Sequence, residues 1–131
     1  MNIVIVEDDD SLMALYINAF NKYIESNKDL SILYFQSTIS AIKFCRDNSV
    51  DLILMDIGMH HDIDGIEATK IIKNNNKNIK IILMTAYKLD CLPNIKKEGI
   101  ESGADLVIEK PLKISEYFKI IDGILKLKYN E

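Results

Sequence analysis

Five short runs rich in Ile, Val and Leu, separated by stretches with helical periodicity, constrain this chain more than any other feature. The runs fall at Asn2 to Val6, Leu30 to Phe35, Asp51 to Met55, Ile79 to Met84 and Asp105 to Ile108. Each has the length of a strand and is largely apolar instead of alternating with polar residues. Continuous apolar character belongs to strands covered on both faces, as in a parallel sheet flanked by helices. Between the runs, Leu12, Tyr16, Ala19, Phe20 and Tyr23 form one apolar stripe at helical spacing, and Ile114, Phe118, Ile121 and Leu125 form another. Ser11 and Ser37 stand where the N-caps of the first two helices fall, and Asp64 with Glu67 has capping-box spacing for the third.

Strand and helix alternating from end to end predict an α/β fold, a doubly wound five-stranded parallel sheet with five helices. The expected strand order is flavodoxin-like, 2-1-3-4-5. A length of 131 residues fits one domain over 1–131, with Asn74 to Asn78 as a helix-to-strand turn and no internal repeat. Hydrophobic residues at 48% and charged residues at 27% are the balance of a soluble globular protein. A formal charge of −4 argues against direct contact with nucleic-acid phosphates, which requires basic clusters. Cys45 and Cys91 lack metal-ligand spacing and read as incidental thiols. Met1 leads into an apolar stretch too short for a membrane span and followed by acids, so a cytoplasmic location with no membrane partner is expected.

In open α/β sheets ligands sit at the carboxyl ends of the strands. Here those ends are acidic: the first run leads into Glu7, Asp8, Asp9 and Asp10, and the third ends on Asp56. A nucleotide-binding turn would carry glycines at the first of these positions, not carboxylates. Three carboxylates converging on one crevice repel one another unless a hard cation neutralises them or some take up protons, and a magnesium-type ion resolves the conflict. The plainer reading of Glu7 to Asp10 is that they complement the positive end of the first helix. Asp56 resists such a reading, because a carboxylate at the end of a buried apolar strand is costly to desolvate without a partner. Thr85 ends the fourth run as a hydroxyl donor, and Lys110, before Pro111, ends the fifth as a cationic amine. A lone strand Thr is usually structural and a lone Lys-Pro usually a solvated turn, so the weight lies on the four strand ends taken together.

With these motifs (IVIVEDDD, DLILMD, MTA and EKP), the sequence resembles the receiver domain of two-component response regulators along essentially its whole length. The resemblance implies that Asp56 is the phosphoacceptor, with Thr85 and Lys110 binding phosphoryl oxygens. It implies Mg²⁺ (or Mn²⁺) held by Asp8 and Asp56, by Glu7 partly through water, and by the backbone carbonyl of Gly58. The phosphodonor it implies is a phosphohistidine on a sensor histidine kinase or histidine phosphotransfer protein. It implies, too, a domain that catalyses its own phosphorylation and dephosphorylation at Asp56 and is not a conventional enzyme. Output is expected through a downstream protein at a face from about Asp90 to Leu127; dimerisation on phosphorylation is left open. The clean start and polar end lead us to expect a complete single-domain regulator.

Two positions depart from the family pattern. Val107 stands where receivers usually carry an aromatic, which puts aromatic gating in doubt, and Tyr87 is either a guard on water access or, the plainer reading, a partly exposed packing tyrosine. The loop after Asp56, IGMHHDIDG, is one residue longer than usual and has His60 at the common proline position. His60 and His61 lack zinc-site spacing, and DIDG lacks the later Glu of a calcium loop. Two rival functions follow from the same residues. One is a haloacid dehalogenase-type phosphatase, whose opening motif Asp8-Asp9-Asp10-Ser11 superficially resembles. The other is a scaffold that keeps the fold without switching.

Overall fold

The computed structural model describes residues 1–26, 29–59, 62–110 and 113–129. At its centre lies β3 (Leu52–Asp56), all five of whose residues are buried. The other strands are β1 (Asn2–Val6), β2 (Ser31–Phe35), β4 (Lys80–Thr85) and β5 (Leu106–Glu109). All neighbours pair in parallel, in the order β2-β1-β3-β4-β5, as the sequence predicts. Among the described residues the five helices are α1 (Asp10–Ser26), α2 (Thr38–Asp47), α3 (Gly65–Asn75), α4 (Pro93–Glu101) and α5 (Ile114–Tyr129).

Side chains alternate across each strand, so every buried strand feeds both faces of the sheet. Ile3, Ile5, Leu52, Leu54, Ile82 and Met84 pack with Tyr16, Phe20, Tyr117 and Ile121 of α1 and α5. Val4, Val6, Ile53, Met55, Ile81 and Leu83 pack with Ala41, Ile42, Ala68 and Ile72 of α2 and α3. Burying such a side chain fully is worth roughly 1.5 to 3 kcal/mol, so the two-sided burial of β3 is a main source of cohesion. α1 and α5 are also joined by aromatic contacts, with Tyr23 and Phe118 stacked at 4.4 Å and Tyr16 edge-on to Tyr117 at 5.6 Å.

Three of the expected strands begin and end one residue later than the apolar runs. Asp56 pairs with Met84, and Thr85 with Glu109, so the ladder continues into the polar strand ends. At the other ends, Asp51 accepts the Asn2 N–H at 2.8 Å and Asp105 the Ile81 N–H at 2.9 Å, which makes them strand-end caps. The α1 cap is also corrected. Asp9, not Ser11, accepts the Leu12 N–H at 2.8 Å, while its carbonyl accepts the Met13 N–H at 2.9 Å. A carboxylate two residues earlier adds charge to the N-terminal dipole that a serine lacks, and Ser11 lies inside the first turn. Ser37 and Asp64 cap α2 and α3 as expected, each accepting from the N–H three residues on. Glu67 lies 3.8 Å from Lys70 in an exposed pair.

Cys45 is buried, its thiol pushed up to about 11 by desolvation, and Cys91 is exposed; both are free. Among the described residues no helix is long and apolar enough to cross a membrane. The readings of His60, His61 and Pro111 fall outside the described residues.

Candidate functional site

At the carboxyl edge of the sheet an open cleft of about 490 Å³ is lined by Glu7, Asp8, Asp56, Gly58, Thr85 and Lys110, together with Tyr87. All six residues expected from sequence are therefore brought together. They arrive from separate elements: Glu7 and Asp8 follow β1, Asp56 ends β3, Thr85 ends β4 and Lys110 follows β5. Backbone bonds fix these ends relative to one another. Glu7 N–H donates to Phe35 O at 3.0 Å, Ile57 N–H to Met84 O at 2.8 Å, and Lys110 N–H to Thr85 O at 2.7 Å.

Glu7 is 1% exposed and Asp56 5%. The Lys110 ammonium bridges them, 2.9 Å from Glu7 Oε1 and 3.1 Å from Asp56 Oδ1. Burial raises the Glu7 carboxyl to about 7, opposed by the hydrogen bond from Lys110 and reinforced by the charge of Asp56. The carboxylates keep Lys110 above its ordinary value, although burial acts the other way. One amine thus faces two buried carboxylates, and Asp8 lines the same cleft. Ligand oxygens of Glu7, Asp8 and Asp56 lie within 4.8 Å of one another, a spacing and an all-oxygen donor set that suit a hard divalent cation.

Backbone amides complete the first-turn geometry. Asp9 N–H reaches Glu7 Oε2 and Gly58 N–H reaches Asp56 Oδ1, each at 3.3 Å. Thr85 is buried, and its Oγ1 accepts the Tyr87 N–H at 3.1 Å. Tyr87 itself is 59% exposed on the cleft wall. Asp10 accepts from Gln36 and Asp9 caps α1, which leaves Asp8 alone of the three aspartates after Glu7 beside Asp56 in the three-carboxylate group.

Sequence reasoning missed several supports. Gly65 starts α3 so close to β3 that a side-chain carbon there would overlap the Asp56 carbonyl, and its N–H donates to Ile57 O at 3.1 Å. Asp62, in the long loop, accepts from the Ser37 hydroxyl at 2.6 Å and the Ile39 N–H at 3.0 Å, pinning the loop to the start of α2. Burial alone would raise the Asp62 carboxyl, yet these hydrogen bonds and one from the Ile63 N–H hold it down at about 2. Beneath the cleft, the buried Tyr16 and Tyr117 hydroxyls lie 3.0 Å apart. Glycine after an N-cap was the one local signal among these; the others join residues far apart in sequence.

The family described as the response regulator receiver domain matches residues 3–122. Over 129 residues the chain is 32% identical to response regulator protein VraR of Staphylococcus saprophyticus, covering 98% of this chain and 57% of that protein. It is 28% identical over 126 residues to the polar-differentiation response regulator DivK of Brucella ovis, covering 95% of each. In structure it resembles a CheY-like response regulator receiver domain protein from Methanospirillum hungatei, with TM-score 0.81 at 20% identity, covering 98% of this chain and 96% of that one. The chain spans about half the length of several curated relatives, VraR and UvrY of Escherichia coli among them. The matched span runs from β1 into α5 and takes in every cleft residue named above, so the chain belongs to the receiver-domain family of two-component response regulators.

Proposed function

We propose that residues 1–131 act as one receiver domain in which Asp56 accepts a phosphoryl group from a phosphohistidine on a sensor histidine kinase or phosphotransfer protein. The observation that carries this reading is the Lys110 ammonium poised between Glu7 and Asp56, 2.9 and 3.1 Å away, at the mouth of the cleft. In the transfer, an Asp56 carboxylate oxygen forms a bond to phosphorus as the bond from phosphorus to the donor imidazole nitrogen breaks. Lys110 neutralises charge on the transferring oxygens, and the Thr85 hydroxyl donates to one of them.

The carboxylates of Glu7, Asp8 and Asp56, with the Gly58 carbonyl, are the groups that would hold Mg²⁺ or Mn²⁺. Such an ion supplies further charge neutralisation at the phosphoryl oxygens when bound. The phosphorylated Asp56 then carries added negative charge and new acceptor oxygens, which draw Thr85 and Lys110 toward it. Both residues end strands that lead into α4 and α5, so the response reaches the face built from α4, β5 and α5, where a downstream protein docks. A cytoplasmic location is part of this reading.

The test is phosphate incorporation from a small acyl or amide phosphodonor, with and without Mg²⁺, in the native chain and in Asp56→Asn. Magnesium-dependent labelling that vanishes in the variant is the expected result. A well-folded native chain that no donor labels in ample magnesium would turn the reading toward a non-switching scaffold.

A further inference from the structure

β5 turns two residues toward α4 and the segment that leads into it. Leu106 and Ile108 pack with the α1 and α5 side, whereas Val107 joins the opposite cluster; strand alternation places Glu109 on the same face as Val107. Val107 fills a notch at Gly99 of α4, where an added side-chain carbon would lie 2.7 Å from Val107 Cγ2 and 3.2 Å from Leu83 Cδ1. Glu109 meets the preceding segment, 86–92, by accepting the Leu89 N–H at 2.7 Å.

Segment 86–92 forms one wall of the cleft through Ala86 and Tyr87 and has a second side-chain anchor, the Thr85 hydroxyl, which accepts the Tyr87 N–H at 3.1 Å. The two anchors differ in what else is asked of them. When Thr85 shifts to donate its hydroxyl to a phosphoryl group, the bond it accepts from Tyr87 is disturbed, and the Glu109 carboxylate, with the Leu89 side chain packed on the core, still ties the segment to the sheet. The Val107 notch is close-packed and has no intermediate position, whereas a single hydrogen bond opens and closes freely.

We propose that Glu109 is a positioning residue: its carboxylate holds segment 86–92, and through Tyr87 the Thr85 hydroxyl, in the resting arrangement, so that losing this acceptor favours phosphoryl binding at Asp56. The link to phosphorylation rests on the function proposed above; the tie itself does not.

The test compares Glu109→Ala with Glu109→Gln. Both remove the negative charge beside Lys110, but glutamine keeps a carbonyl acceptor for Leu89. Amide hydrogen exchange at Leu89 in the unphosphorylated chain is expected to quicken about tenfold or more in Glu109→Ala and to stay near native in Glu109→Gln. Labelling by a small acyl phosphate in magnesium is expected to run severalfold faster in the alanine variant only, as for any shift toward the binding-competent arrangement. Unchanged Leu89 exchange in Glu109→Ala, or equal acceleration in both variants, would overturn the tie. Faster exchange with native labelling would overturn its link to the cleft. Absence of labelling in the native chain itself would fault the phosphoryl reading, while the exchange result would still judge the tie.

Discussion

Lys110 stands 3.1 Å from the Asp56 carboxylate and draws its other contact, at 2.9 Å, from the almost fully buried Glu7. The amine therefore compensates two desolvated anions at once, and its loss would be felt before any phosphate arrives.

Lys110→Met keeps the stem and removes the charge. It is expected to cost about 3 to 5 kcal/mol at pH 8, the range for breaking a buried pair, and less at pH 5, where Glu7 escapes by taking up a proton. Urea denaturation at the two pH values measures both numbers; equal losses at pH 5 and 8 would show that Glu7 is not the group left stranded.

The raised Glu7 carboxyl gives stability a definite slope. Folded Glu7 titrates at about 7 and its ordinary value is 4.5, so between these the folded state binds more protons than the unfolded. Its contribution is full below about pH 4.5 and is lost as pH rises through 7. Added Mg²⁺ should therefore raise Tm more at pH 8 than at pH 5, where it competes with that proton. In Glu7→Gln the pH slope should flatten. A magnesium shift that is the same at both pH values and in the variant would place the cation elsewhere.

Asp62 behaves in the opposite sense. With the folded carboxyl held at about 2 against an ordinary 3.8, its contribution is present above pH 3.8 and lost as pH falls toward 2. The residue is only partly buried, so screening reduces the effect, and Asp62→Ala is expected to cost about 1 kcal/mol at pH 7 and almost nothing near pH 2. Thermal melts of the variant across acid pH check the sign. A loss that persists undiminished at pH 2 would mean that charge plays no part in pinning the loop.

Gly99 and Val107 should be energetically coupled. Gly99→Ala drives a methyl carbon to within 2.7 Å of Val107 Cγ2 and is expected to destabilise by about 1 to 3 kcal/mol. Pairing it with Val107→Ala opens room, so the double variant should lose at least about 0.5 kcal/mol less than the sum of the singles. Simple additivity in a double-mutant cycle would show that α4 shifts freely and that no notch exists.

The sheet was legible because β1, β3 and β4 are apolar on both faces, and buried parallel strands announce themselves in composition alone. The cleft was legible because Glu7, Asp8, Asp56, Thr85 and Lys110 each sit where an apolar run stops. What escaped were contacts whose partners are remote or whose chemistry is ambiguous. Ser11 and Asp9 are both good caps, and only helix phase decides between them. Asp62 looks like a loop acid until Ser37 and Ile39, 25 and 23 residues away, are seen donating to it. Glu109 reads as one more charge before Lys110, because its duty depends on a backbone amide of Leu89, which sequence does not display.

The strand order has a further consequence, for how mechanical work is divided. Asp56 ends the innermost strand, every residue of which is buried, with a neighbour on each side. Lys110 follows a four-residue edge strand with one neighbour, overlain by a helix in which Gly99 alone is buried. Local opening costs least where neighbours and buried contacts are fewest. The sheet therefore resembles a cantilever, clamped at its middle beside Asp56 and most compliant at the margin beside Lys110, and in the function proposed above it is this margin that bends while the middle stays folded.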